Sequence, residues 1–259
     1  MNILLTNDDG IHAPGLWALY DRLAGIHQVT VIAPDRERSA IGHAITLHQP
    51  LRVTQFSLTG QYGGYAVNGT PADCVKLGIL EILPDRPDVV VSGINPGANV
   101  GANLNYSGTV AAAKEATLCG TIGIAVSVVG PNVDFYDDAA MFVAQLSETV
   151  CRKGLPSGTF LNVNLPNRPL KEIAGVKISR QSVSVLSEYV EKRLDPRDRI
   201  YYWQGADRQS FGTDLQIDGA ALAQNFISVT PVKCDMTDYR AMENLAGWEL
   251  DEWIGRHRA

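Results

Sequence analysis

No apolar run in this 259-residue sequence approaches the length needed to cross a bilayer as a helix. The opening Met1-Asn2-Ile3-Leu4-Leu5 has no basic segment and is interrupted by Asn7-Asp8-Asp9, unlike a secretion signal. A soluble, cytoplasmic protein with no membrane partner is expected. Cysteine is scarce: Cys74, Cys119, Cys151 and Cys234 are scattered, without a Cys-x-x-Cys pair or zinc-like spacing. Reduced thiols are therefore expected rather than disulfides. The sequence also lacks His-Glu-x-x-His, a Gly-x-Ser-x-Gly nucleophile elbow and the Gly-Lys-Ser/Thr of a Walker loop. His43 and His48 lie five residues apart, the wrong interval for one helix face, so only His43, close to Ser39, is a candidate to line a site.

Positive charge is in deficit as well. The formal net charge is -6 and the pI about 5.4, which disfavours long nucleic acids, whose phosphate backbones require a basic surface. Small anions are not excluded, because one bound cation reverses the field inside a cleft while the outer surface stays acidic. With 45% apolar and 19% charged residues the chain has the composition of an ordinary globular protein. Its length suits one large α/β domain, with or without a smaller appendage.

Ile3-Leu4-Leu5 is a short apolar run that ends in Thr6-Asn7-Asp8-Asp9-Gly10, the pattern of a buried strand opening into a polar loop. Pro14-Gly15 introduces a helix with Leu16, Leu19, Tyr20 and Leu23 at helical spacing, and Val29 to Ala33 forms a second strand. Thr70-Pro71-Ala72-Asp73 predicts a capped helix over 71–83. A strand over 88–93, a helix around 109–119 and a strand over 122–129 follow. Apolar strands alternating with helices imply a parallel sheet covered on both faces. The expected fold class is α/β, a Rossmann-like three-layer sandwich with a mostly parallel sheet, spanning residues 1–179. Residues 180–259 are expected to form a C-terminal extension. It comprises a β-hairpin (183–189 and 199–203), a returning strand (226–231) and a closing helix (238–254).

Ligands of open parallel sheets collect beyond the carboxyl ends of the strands. Three such ends deliver Asn7-Asp8-Asp9, Asp35-Arg36-Glu37-Arg38-Ser39 and Gly93-Ile94-Asn95-Pro96-Gly97. Two adjacent carboxylates repel one another, and a hard divalent cation resolves the repulsion by taking oxygens from both. Ser39 and Asn95 can add neutral oxygens, leaving positions for water and a phosphate oxygen. Taken alone, Asp-Asp-Gly is a turn composition, Ser39 a cap and Asn95-Pro96 another turn. The segment from Gly97 to Thr109 is rich in Gly and Asn and opens a helix, so its N–H groups and the hydroxyls of Ser107 and Thr109 suit a phosphate, although a flexible surface loop has the same composition.

With these residues in view, the sequence resembles the SurE family of survival-protein nucleotidases over nearly its whole length. The resemblance rests on Leu4-Leu5-Thr6-Asn7-Asp8-Asp9-Gly10, Ala33-Pro34-Asp35-Arg36 with Ser39 and Gly42-His43, and Gly69 to Val75. It continues in Ser92-Gly93-Ile94-Asn95, Gly97, Asn99, Gly101, Tyr106-Ser107-Gly108-Thr109-Val110, Asn162-Val163-Asn164 and Ser228 to Pro231. What it implies is a 5'- and 3'-nucleotidase acting on nucleoside monophosphates, with some relatives also trimming polyphosphate. It further implies one divalent metal ion per subunit, Mg²⁺ or Mn²⁺, held by Asp8, Asp9, Ser39 and Asn95, with Asp8 and Asp9 catalytic. Asn7, His43, Asn99, Ser107, Gly108 and Thr109 are the expected substrate contacts. A homodimer or homotetramer formed through an exchanged C-terminal extension is also implied. Pro96 stands where many relatives carry a polar or basic side chain, and no catalytic role is carried over to Lys233-Cys234-Asp235. The expected chemistry is attack by a metal-activated water; the alternatives are a nucleotide sensor using the same cation without turnover, and a glycosyltransferase.

Overall fold

The computed structural model describes residues 1–259 except 59–61, 184–187, 207–210, 249 and 252–259. The chain begins β1 (Asn2–Thr6), α1 (Pro14–Leu23), β2 (Gln28–Pro34), then a hairpin of β3 (Val53–Leu58) and β4 (Tyr62–Val67). It continues α2 (Pro71–Leu77), β5 (Val89–Pro96), α3 (Gly108–Leu118), β6 (Ile122–Val128), α4 (Tyr136–Lys153) and β7 (Thr159–Leu165). Last come β8 (Gly175–Ile178), β9 (Glu188–Leu194), β10 (Ile200–Ala206), α5 (Asp218–Ala223), β11 (Phe226–Lys233) and α6 (Tyr239–Ala246).

Nine strands form one sheet in the order β3-β4-β2-β1-β5-β6-β7-β11-β8. Pairing from β4 through β2, β1, β5 and β6 to β7 is parallel; β3–β4 and β7–β11 are antiparallel. This is the expected three-layer, mostly parallel α/β fold. Alternation along the strands assigns the two faces. Ile3, Leu5, Val31, Ala33, Val89 and Val91 join the cluster containing Leu16 and Leu19 of α1 and Val143 of α4. Leu4, Ile32 and Val90 point the other way, toward Cys74 and Val75 of α2 and Ala112 and Ala116 of α3. Each fully buried Leu, Ile or Val among them contributes about 1.5–3 kcal/mol.

The expected α2 cap is present: the Asp73 backbone N–H donates to Thr70 Oγ1 and the Thr70 backbone N–H to Asp73 Oδ2, a capping box in which replacing the cap residue by Ala costs about 1 kcal/mol. The helix does not run unbroken to residue 83, because a wider π turn takes over at Gly78–Ile82. Gly78 sits where a Cβ would lie 2.9 Å from Leu4 Cδ2, so its lack of a side chain lets this turn press on the sheet. Beyond residue 179 the chain divides. β11 enters the core between β7 and β8, whereas β9 and β10 form a separate antiparallel pair. The hairpin lies a few residues later than expected, at 188–194 and 200–206, and part of the expected first strand falls at 184–187, outside the described residues. The closing helix covers Tyr239–Ala246, and the remainder of the expected span lies partly outside them.

Candidate active site

β1 is flanked by β2 on one side and β5 on the other. The chain leaves β1 toward β2 and later returns through β5, so their carboxyl ends bound the crevice where the strand order reverses. Asp8 and Asp9 follow β1, Ser39 follows β2, and Asn95 ends β5.

The loop after β1 is shaped by Asn7, which is fully buried. Its Nδ2 donates to the Gly10 carbonyl at 2.9 Å, and the Gly10 N–H returns to Asn7 Oδ1 at 3.2 Å. Gly10 has φ +96, and a Cβ there would lie 2.9 Å from the Arg36 carbonyl carbon. Both features demand glycine. The loop is also tied to the β2 end, since the Arg38 N–H donates to the Asp8 carbonyl at 2.7 Å and the Ile11 N–H to the Pro34 carbonyl at 2.8 Å.

Asp8 is 5% exposed and lies against the first turn of α3. Burial pushes its carboxyl above the usual carboxylate range; the Thr109 hydroxyl and the backbone N–H groups of Gly108 and Thr109 oppose that shift. Thr109 Oγ1 donates to Asp8 Oδ1 at 2.5 Å. Gly108 is required for this approach, because a Cβ there would lie 2.8 Å from Asp8 Cβ. The carboxyl of Asp9 is pushed up to about 7 by burial, then by the charges of Asp8 and Glu37. Its Oδ2 is buried with no hydrogen-bond partner among the described residues.

A cleft of about 280 Å³ is lined by Asp8, Ser39, Asn95, Asn99 and Ser107, among others. Asn95 Nδ2 donates to the Gly97 carbonyl at 2.6 Å, which leaves its Oδ1 unengaged among the described residues. Asp9 is not part of the lining but stands close enough to Asp8 for that charge to raise it. The Ser39 hydroxyl donates to Glu37 Oε1 at 2.7 Å.

Several expected substrate contacts have other duties. The Asn7 side chain is bonded to Gly10 and the Thr109 hydroxyl to Asp8. Asn99 lines the cleft, but its Nδ2 donates to Ser127 Oγ at 2.9 Å. Its backbone N–H donates to Asn164 Oδ1, and its carbonyl accepts from Nδ2 of both Asn162 and Asn164. These bonds anchor the cleft wall. Ser107 caps α3, accepting from the Val110 N–H at 3.2 Å. His43 is absent from the cleft lining; its Nε2 lies 2.7 Å from Glu115 Oε2, beside a second cavity. Glu115 was not singled out from the sequence, although an acid inside Ala111-Ala112-Ala113-Lys114-Glu115-Ala116 is itself a signal. His43 first, and then Lys76, hold its carboxyl below the usual range against the opposing effect of burial.

The donor set can be tested against a cation. Among the described residues no group of three or more His, Cys, Asp or Glu is placed to hold a metal, so a cation in this cleft would draw on neutral oxygens besides the two carboxylates. Two carboxylates, one of them with an orphaned buried oxygen, together with a hydroxyl and an amide oxygen, fit a hard oxygen-seeking ion.

Fold and cleft together define a Rossmann-like α/β protein with an acidic, oxygen-rich site at the strand-order switch. The sequence profile described as Survival protein SurE matches residues 3–188. The chain is 59% identical to the 5'-nucleotidase SurE of Desulfatibacillum aliphaticivorans, over 97% of this chain and 100% of that one. It is 49% identical to the 5'-nucleotidase SurE of Geobacter sulfurreducens, covering 96% and 94%. The crystal structure of the SurE protein from Aquifex aeolicus superposes with a TM-score of 0.85 at 38% identity, covering 96% of this chain and 100% of that one. The chain belongs to the SurE family.

Proposed function

We propose that this protein is a nucleotidase that removes phosphate from nucleoside 5'- and 3'-monophosphates with one divalent ion, Mg²⁺ or Mn²⁺, held by Asp8, Asp9, Ser39 and Asn95. The observation that carries the reading is the pair of adjacent carboxylates at 8 and 9, the first buried and the second with a buried, unpartnered Oδ2, beside the oxygens of Ser39 and Asn95. The relatives named 5'-nucleotidase supply the substrate class.

When bound, a divalent ion supplies positive charge against the phosphoryl oxygens and acidifies a nearby water. The chain's own residues prepare that event. Thr109 and the α3 N-terminus fix the orientation of Asp8. Asp9 Oδ2, without a competing donor, is free to orient the attacking water and accept its proton. The Asn162–Asn164 network holds Asn99 and with it the cleft wall, so the phosphate meets a preorganised surface. Direct attack by water needs no phosphoenzyme.

Incubating the purified protein with AMP or p-nitrophenyl phosphate and Mn²⁺ should release phosphate. Chelation should stop the release, and Asp8→Asn should abolish it while the protein stays folded. Tight nucleotide binding without release would establish the sensor instead, and a trapped labelled phosphoenzyme would overturn the direct-water route. A panel with 3'-AMP and short polyphosphate reads the breadth of substrate.

The extension at 180–259 is proposed to build a homodimer or homotetramer. The β9–β10 pair leaves Val190, Leu194, Ile200, Tyr202 and Trp203 exposed, and a lone two-stranded hairpin is marginal in water. Light scattering on the purified protein decides it, since a monomeric mass defeats this assignment.

A further inference from the structure

The second cavity carries chemistry that the carboxylate cleft does not use. It encloses about 270 Å³ and shares Ser107 with the cleft, so the two meet over the N-terminus of α3. Leu104, Val110 and Phe160 give it an apolar side, while Lys114 and Lys233 stand on its lining. Among the described residues no carboxylate lines it. In a chain of net charge -6 the two lysines put positive charge on this wall, while Glu115, bonded to His43, and Asp235, on which the charge of Lys233 acts, lie off the lining. Among the described residues neither lysine is in an ion pair; Lys114 Nζ lies 3.6 Å from Met236 Sδ. The third titratable group, His43, is held by Glu115 through Nε2.

Spacing sets what the cavity can take. Lys114 is seven residues beyond Ser107 along α3, about 10 Å at 1.5 Å per residue. Lys114 and Lys233 line this cavity and not the carboxylate cleft, so a sugar reaching over Ser107 from a phosphate seated in the cleft brings a substituent on its far side toward the two ammonium groups. Unpaired lysines bind phosphate as point charges through charge-assisted hydrogen bonds.

We propose that this cavity is a second phosphate site, in which Lys114 and Lys233 receive a phosphate carried on the leaving group of the substrate, so that nucleoside bisphosphates are selected over singly phosphorylated esters. The proposal rests on the cleft being the phosphomonoester site.

The test uses the full chain with Mn²⁺ and compares kcat/KM for adenosine 3',5'-bisphosphate with that for p-nitrophenyl phosphate. The ratio should fall on the order of tenfold in the Lys114→Ala, Lys233→Ala double variant, the scale of a lost charge-assisted bond. It should stay at the wild-type value in Lys171→Ala, which removes a positive charge elsewhere. An unchanged ratio in the double variant overturns the second site. Absence of phosphate release from both substrates overturns instead the phosphatase reading beneath it. Labelling of the wild-type protein with an amine-reactive reagent in chelator, where nothing turns over, keeps the test independent of variant folding. Adenosine 3',5'-bisphosphate should protect Lys114 and Lys233, whereas inorganic phosphate at equal concentration should not. Equal protection by inorganic phosphate would make the cavity a free-anion site and sink the link to the substrate.

Discussion

The hydroxyl of Thr109 donates to Oδ1 of Asp8, joining the first loop of the chain to the first turn of α3 across 101 residues. Burial opposes charge on Asp8, and this bond, with the helix N–H groups behind it, is what the fold offers in return. Thr109→Val should therefore weaken Mn²⁺ binding on the order of tenfold or more, the range for a hydrogen bond to a charged group. Thr109→Ser should restore most of it. Calorimetric titration with Mn²⁺ measures both, and an affinity unaltered in the valine variant would remove Thr109 from the site.

Asp9 gives a pH dependence with a definite sign. Its carboxyl is pushed up from 3.8 to about 7 in the folded chain, so between these values the folded state holds a proton that the unfolded state has lost. The stability it contributes is present below pH 3.8 and disappears as pH rises through 7. In chelator, the melting temperature of the wild type should fall relative to Asp9→Asn across that interval, and added Mn²⁺ should reverse the loss above pH 7. Parallel wild-type and variant curves in chelator would show that the site does not strain Asp9.

The strands and helices around the cleft are legible because their signals are local. Ile3-Leu4-Leu5 and Val89-Val90-Val91 are continuous apolar runs, and Thr70-Pro71 and Ser107 cap their helices with their own side chains. Asp8, Ser39 and Asn95 are legible for the same reason: each is a polar residue at or just beyond a strand end. The partners of Asn7, Thr109 and His43 are not, since whether a hydroxyl faces a ligand or a carboxylate is settled only when segments distant in sequence pack. No local pattern announces the wider turn at Gly78–Ile82, where Gly78 lies against Leu4. Nor does the periodicity around residue 226 reveal that β11 lies antiparallel to β7 inside the main sheet.

Asn164 explains why two asparagines occupy a fully buried strand. Its Oδ1 accepts from the Asn99 N–H at 2.8 Å, and its Nδ2 donates to the Asn99 carbonyl at 3.1 Å. Asn164→Leu leaves a buried N–H without an acceptor, at a cost of about 1–3 kcal/mol. Chemical denaturation should register that loss, and kcat should fall further than the folded fraction does, because Asn99 lines the cleft. A variant that is less stable yet equally active per folded molecule would separate the network from function.

Asp218 makes the corresponding connection from the far end of the chain. Its fully buried carboxylate accepts from the backbone N–H groups of Gly101, Ser182 and Gly219 at 2.8, 3.1 and 2.7 Å. Gln181 Nε2 donates to the Gly101 carbonyl at 2.8 Å, so both polar groups of one glycine in the cleft-side loop are held by residues beyond 179. Gly101 has φ +58 and cannot be replaced by a stiffer residue without strain; its position depends on these two bonds. Gln181→Ala removes only the part-buried side of the clamp. It should leave the melting temperature nearly unchanged while raising KM for AMP, because the loop then samples positions that do not present the cleft wall to phosphate. Asp218→Ala removes the buried side and should lower stability as well, with three N–H groups losing a charged acceptor. If Gln181→Ala kept the wild-type KM, the C-terminal stretch would be a scaffold for the core and not a determinant of how the cleft binds.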